Sequence, residues 1–321
     1  MVKKYYDDPA GCDRNGEELW RYVSRKNGDD KNSKLSIENM IKAVNEENFK
    51  LIVASTDGLS GRLKTWASAL RINSNPYVFF HLKNVLKENK FTDLFKNGEM
   101  EVPILPPDFD FILYGGAASL LILPTDNIED DFPSLKLQKD KIKHGFYQDE
   151  QKIDWEFERI PNSIRKEYVN MFSIIKSQVR DDILIEVDSF SNNFTDKTIS
   201  VHVRSGTGFT IQCAGPPEAY LFKLDETIKV MESYSDDYTF FVSTDESVEQ
   251  GSDDILSTLQ EKFGNRILYH KNDSSSVRGA LIDLLLLSKN KIIIGTYLST
   301  FTEVSWWFGG ATAKVIFPGW E

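Results

Sequence analysis

Cysteine is nearly absent: Cys12 and Cys213 are the only two in 321 residues. Two cysteines build neither a disulfide framework nor a thiolate zinc set, and a reducing compartment suits such a chain. Histidine is equally scarce, and the four present are scattered without metal-ligand spacing. Basic runs are missing as well. With a formal net charge of -11 and no Lys/Arg cluster, the chain lacks the basic face that phosphate-backbone binders need, which excludes a nucleic-acid surface. Any anion it binds has to be held locally. Long apolar runs are also lacking: no stretch reaches the roughly 18 apolar residues of a membrane span, and Met1 to Asp8 carries no signal-peptide core. The expectation is a soluble, cytoplasmic protein that meets small or exposed substrates.

What is present is ample material for cores, with 40% hydrophobic and 12% aromatic residues, enough for two domains of ordinary size. Residues 1–48 are polar and broken by Gly11, Gly16 and Gly28, and suggest an arm with short helices. Residues 49–178 suggest an α/β domain. It opens with the strand signal Phe49 to Ala54, then the glycine loop Asp57-Gly58-Leu59-Ser60-Gly61-Arg62, then a helix with Leu63, Trp66, Ala67 and Leu70 on one face. A loop of that kind turns helix N–H groups outward toward phosphate or a sugar hydroxyl, with Arg62 as a forked cation; alternatively, two glycines make a tight turn and Arg62 is a surface charge. Further strands are expected at Tyr77–Phe80, Phe111–Tyr114 and Leu120–Leu123, a short turn at Phe91–Phe95, and loop over residues 126–154. The triplet Asp108-Phe109-Asp110 has the form of a divalent-ion site, yet such a triplet arises readily by chance in an acidic chain. A helix follows, capped by Ser163 and carrying Ile164, Tyr168, Met171, Phe172 and Ile175 on one face.

Residues 179–321 alternate more regularly. After a helix over about Asp181 to Phe190, strands are expected at Thr198–Val203, Thr239–Val242, Ile267–Tyr269, Ile292–Ile294 and Lys314–Phe317, with helices between them. That alternation predicts a doubly wound parallel sheet, in which ligands sit beyond the carboxyl ends of strands. Three such ends carry polar groups. Val201-His202-Val203-Arg204 puts His202 and Arg204 on one strand face before Gly206 and Gly208; the plain alternative is a core histidine and an ion-paired arginine. Val242-Ser243-Thr244-Asp245 offers hydroxyl and carboxylate groups to a base or ribose, or simply caps the next segment. Ile294-Gly295-Thr296 followed by Ser299-Thr300-Phe301-Thr302-Glu303 starts a helix whose free N–H groups suit a diphosphate. Thr300 and Glu303 also have capping-box spacing, which is compatible with phosphate held by Ser299 and backbone N–H groups.

These three corners, with Asp283 to Ser288 preceding the third, resemble the three motifs of the fucosyltransferase superfamily, the GDP-fucose enzymes of α1,2, α1,6, protein-O-linked and nodulation type. Asp57 to Leu63 is similar to its glycine-rich first loop, and the resemblance runs from about residue 50 to 318. It implies a GT-B fold, two Rossmann-like domains facing across a cleft, and inverting transfer from GDP-fucose to a saccharide without a metal or other cofactor. It further implies that Arg204 stabilises the leaving diphosphate and His202 supports the nucleotide. Asp245 is then expected to contact base or ribose, and Ser299, Thr300 and Phe301 the β-phosphate. Arg62 with Gly58 and Gly61 approaches donor or acceptor. Where many members carry a second Arg and then an acidic residue, this chain has Ser205 and Thr207. That departure leaves open another nucleotide sugar or a non-catalytic binding module. A dehydrogenase is disfavoured, because Gly206-Thr207-Gly208 is followed by Ile211 where a third glycine belongs.

Overall fold

The computed structural model describes residues 20–24, 51–54, 58–79, 90–101, 111–115, 119–121, 141–143, 146–148, 153–155, 162–204, 223–244, 255–271, 276–296 and 299–319. These fall into two compact units, one up to Gln178 and one from Val179 onward.

In the first unit the strands are β1 (Trp20–Ser24), β2 (Leu51–Ala54), β3 (Tyr77–Phe79), β4 (Phe111–Gly115), β5 (Ser119–Leu121), β6 (Lys141–Lys143), β7 (Phe146–Gln148) and β8 (Ile153–Trp155). Its helices of more than one turn are α1 (Leu59–Leu70) and α2 (Asn162–Gln178). The main sheet has the order β1-β4-β2-β3, with β2 parallel to both neighbours and β1 antiparallel at the edge. Three expectations need correction here. The segment expected to carry only short helices contributes β1, whose alternating Trp20, Tyr22 and Ser24 suit a strand, and the stretch expected to be loop holds β6, β7 and β8. Strands of three residues are too short for any period to show in the sequence. The helix begins at Asn162, so Ser163 lies in its first turn and is not the cap.

All twelve residues of α1 are buried. Trp66 is edge-on to Phe95 at 5.1 Å and tilted against Phe91 at 5.3 Å, and Ser68 Oγ and Tyr168 Oη are hydrogen-bonded at 2.9 Å, tying α1 to α2.

The second unit follows its alternation closely. It contains α3 (Asp181–Ser191), β9 (Thr198–Val203), α4 (Leu224–Glu232), β10 (Thr239–Thr244), α5 (Ile255–Phe263), β11 (Ile267–Tyr269), α6 (Val277–Leu287), β12 (Ile292–Ile294), α7 (Thr300–Phe308) and β13 (Lys314–Ile316). The five strands form one parallel sheet in the order β11-β10-β9-β12-β13. β9 is therefore central, and all six of its residues are buried. Both faces of a parallel sheet are covered, so its alternation separates two kinds of buried side chain instead of core from solvent. Ile199, Val201 and Val203 join Met231, Leu259 and Phe263 in one apolar cluster under α4 and α5. On the other face Ser200 donates to the Leu287 carbonyl at 2.8 Å and accepts from Asn290 at 2.9 Å. Buried hydroxyls of this kind persist because each has partners.

Helix starts in this unit are chemically marked. Ser276 caps α6 by accepting from the Gly279 amide at 2.9 Å, and α6 then runs through five leucines that are all buried. Among the described residues, no helix is long and apolar enough to cross a membrane.

Candidate functional site

The strand order reverses direction between β9 and β12: successive strands lie to one side of β9 through β10 and β11, and to the other through β12 and β13. At such a switch point the crossovers diverge and leave a crevice beyond the strand ends, the usual ligand position in open α/β sheets. His202 is the penultimate residue of β9, Arg204 is one residue past its end, and Thr296 is two past the end of β12.

The side chains meet there. His202 Nδ1 lies 2.8 Å from Thr302 Oγ1, and its ring stacks on Phe301 with centroids 4.9 Å apart and planes 23° from parallel. Thr296 Oγ1 donates to the His202 carbonyl at 2.9 Å, and Thr302 Oγ1 is 3.5 Å from the Thr296 carbonyl. Residues about a hundred positions apart are thus knitted into one corner. Burial pushes the His202 imidazole down to a pKa of about 3, with the Arg204 cation adding to the effect, so the ring is neutral at physiological pH. Arg204 itself is half-buried.

The β12–α7 turn is built for close approach. An added Cβ on Gly295 would stand 2.4 Å from Thr302 Cγ2 and 3.1 Å from Phe317 Cε1, so only glycine admits Thr302 to this position. Ser299 is the N-cap of α7 and accepts from the Phe301 amide at 3.3 Å, while the first intrahelical bond runs from the Glu303 amide to the Ser299 carbonyl. The capping-box reading of Thr300 and Glu303 is thereby corrected. The helix starts one residue earlier than that spacing requires, and Glu303 is buried with Oε1 accepting from Trp307 Nε1 at 3.1 Å. The cap consumes one amide. That amide is Phe301's, and Ser299 Oγ, having accepted, still has its own proton to donate.

At the neighbouring strand end, Ser243 Oγ donates to Asp283 Oδ2 at 2.9 Å, both groups being buried. Asp245 lies outside the described residues, as does the Asp108–Asp110 triplet.

In the first unit, Gly58 is the N-cap of α1, and Gly61 and Arg62 stand inside the helix, not in a loop. The Arg62 amide already bonds back to the Gly58 carbonyl at 3.2 Å, so the helix starts before the expected loop has finished. The surface-charge reading of Arg62 also fails, because the residue is only 4% exposed. Lys64, one turn away from Gly61, is fully buried and drew no notice in the sequence.

Sequence reasoning named His202, Arg204, Ser299, Thr300 and Phe301, and the structure gathers His202, Ser299, Thr300 and Phe301 at this corner with Arg204 just past β9. It missed Thr302, Thr296 and Gly295. A glycine directly after an Ile-Ile-Ile strand was the available signal, since glycine at such a place marks a close backbone approach.

No protein-family model matches the chain, and no curated protein matches it. Among solved structures it is similar to NodZ alpha-1,6-fucosyltransferase soaked with GDP-fucose, at 14% identity and a TM-score of 0.42 over 81% of this chain and 92% of that one. It is similar also to fucosyltransferase NodZ from Bradyrhizobium, at 14% identity and a TM-score of 0.41 over 80% and 92% of the two chains. POFUT1 in complex with GDP has 14% identity and a TM-score of 0.41, over 84% of this chain and 99% of that one. Likenesses of this size leave the chemistry to this chain's own side chains.

Proposed function

We propose that the chain is a glycosyltransferase of GT-B type that binds a nucleotide sugar beyond the ends of β9 and β12 and transfers fucose from GDP-fucose to a saccharide. The observation that carries this reading is the switch point itself. A neutral, ring-stacked His202, a capped helix N-terminus at Ser299 and the Arg204 cation belong to the two strand ends that flank it.

The chemistry follows from where charge develops. Cleavage of a glycosyl–phosphate bond leaves growing negative charge on the diphosphate. Oriented N–H donors of a helix start and a guanidinium stabilise such charge without reorganising, and do so more strongly out of water. Arg204 and the α7 start at Ser299 and Thr300 supply those groups, with Phe301 beside the phosphate by the resemblance alone, so the reading requires no metal. His202 and Asp245 serve the nucleoside, the latter by the resemblance alone; the roles of Arg62, Gly58 and Gly61 rest on the same resemblance.

A second reading, favoured by Ser205 and Thr207 in the place of a second arginine and an acid, keeps the nucleotide site and changes the donor or removes turnover. Thermal melting with GDP, GDP-fucose, UDP and NADH, each with a chelator present, separates the cases. A ligand at a hundred times its Kd adds about 2.7 kcal/mol to native stability. Stabilisation by GDP and GDP-fucose alone supports the fucosyl donor, a shift with UDP redirects the donor, and no shift with any nucleotide refutes the nucleotide site.

A further inference from the structure

The Thr302 hydroxyl has one proton and two neighbours able to accept it, His202 Nδ1 at 2.8 Å and the Thr296 carbonyl at 3.5 Å. If Thr302 donated to the ring, the Thr296 carbonyl would keep only the Ser299 amide, at 3.2 Å. If instead Nδ1–H donates to Thr302 Oγ1, the threonine proton is released toward Thr296 and both contacts are served in a chain whose members polarise one another. The ring is held in place beside Thr302: Phe301 stacks on one face, and Thr296 Oγ1 holds the His202 carbonyl at 2.9 Å. Among the described residues Nε2 has no hydrogen-bond partner.

We propose that Thr302 is a positioning residue that keeps the His202 proton on Nδ1, so that Nε2 presents a lone pair and accepts an N–H or O–H from the bound nucleoside. A phosphate oxygen, itself only an acceptor, gains nothing from such an imidazole. The ligand half of this proposal rests on the nucleotide reading above; the proton position does not. Gly295 is part of the same device, because any larger residue displaces Thr302.

The test is a long-range proton–nitrogen correlation spectrum of protein carrying isotope-labelled histidine, with the His202 signals assigned by their loss in His202→Gln. The expected result is a neutral ring protonated on Nδ1 in the wild type and in Thr302→Ser, which retains the hydroxyl. Thr302→Val should move the proton wholly or partly to Nε2 and weaken GDP binding about twofold to tenfold, the scale of one lost hydrogen bond. A wild-type ring protonated on Nε2, a measurement that needs no Thr302 variant to fold, overturns the proposal. So does a Thr302→Val spectrum identical to wild type. If the proton behaves as expected and GDP binds to none of the three proteins, the positioning of His202 stands and the nucleotide reading fails.

Discussion

Replacing Gly295 by alanine isolates the packing on which the corner depends. The new methyl stands 2.4 Å from Thr302 Cγ2, where ordinary contact begins at 3.4 Å, so one of the two must recede by about an ångström. Thr302 cannot simply rotate. It is β-branched within a helix, where its χ1 choices are few, and a turn that clears Cγ2 carries Oγ1 away from His202 Nδ1. Phe317 Cε1 at 3.1 Å blocks another direction of escape. Relief then comes from displacement of the α7 start, which carries Ser299 and Phe301 with it. Overpacking of this kind costs about 1–3 kcal/mol, or roughly 2–10 °C in melting temperature at a few degrees per kcal/mol. Differential scanning calorimetry measures the loss, and GDP titration measures its effect at the site. The decisive control is Thr302→Ser, which deletes Cγ2 and keeps the hydroxyl. In the Gly295→Ala/Thr302→Ser double variant at least half of the lost stability should return, a coupling within the 0.5–3 kcal/mol range of contacting residues. A Gly295→Ala protein that melts like wild type, or a double variant no better than the single, refutes the steric argument.

Other consequences are separately measurable. Because burial holds the folded His202 pKa near 3 while the unfolded residue titrates near 6.5, the unfolded chain takes up a proton that the folded chain refuses as pH falls from 6.5. Its contribution to stability is complete above 6.5 and declines toward pH 3 by up to about 1.4 kcal/mol per unit; urea midpoints between pH 7 and 5 should fall less steeply in His202→Gln, and equal slopes count against the buried neutral ring. Arg204→Ala should lower GDP release from GDP-fucose by roughly a hundredfold to a thousandfold with the melting temperature kept, the scale of one lost donor to a developing oxyanion; normal turnover removes Arg204 from the leaving group. Ser243→Ala takes a donor from the buried Asp283 carboxylate and should cost about 1–3 kcal/mol in chemical denaturation, whereas a change within a few tenths means that water replaces the hydroxyl.

Legibility in this sequence follows the length scale of the signal. The second unit was readable because each of its strands and helices is bounded by its own neighbours. Thr-Ile-Ser-Val-His-Val alternates, Ile-Ile-Ile ends on a glycine, and the polar residues that close β9, β10 and β12 fall where a parallel sheet presents them. The starts of α3 and α6 coincide with their sequence signals, whereas that of α7 falls one residue before the one its capping-box spacing suggests. Ser299 and Thr300 are both acceptable caps; with Ser299 in that role Thr302 packs against Gly295, a contact between side chain and backbone that no propensity encodes. β1 was lost for a different reason: its partner β4 lies some ninety residues away at a sheet edge, and five residues of Trp-Arg-Tyr-Val-Ser bear no mark of that pairing. Arg62 shows the limit of charge as a guide. An arginine after a glycine loop suggests solvent or ligand, but one turn of additional helix takes it into the interior with all of α1. The pair His202–Thr302 combines both limits. The sequence offers a histidine on a strand and a threonine on a helix, a hundred residues apart; only the order β9-β12 makes them neighbours, and only their being neighbours decides which ring nitrogen is left to meet a ligand.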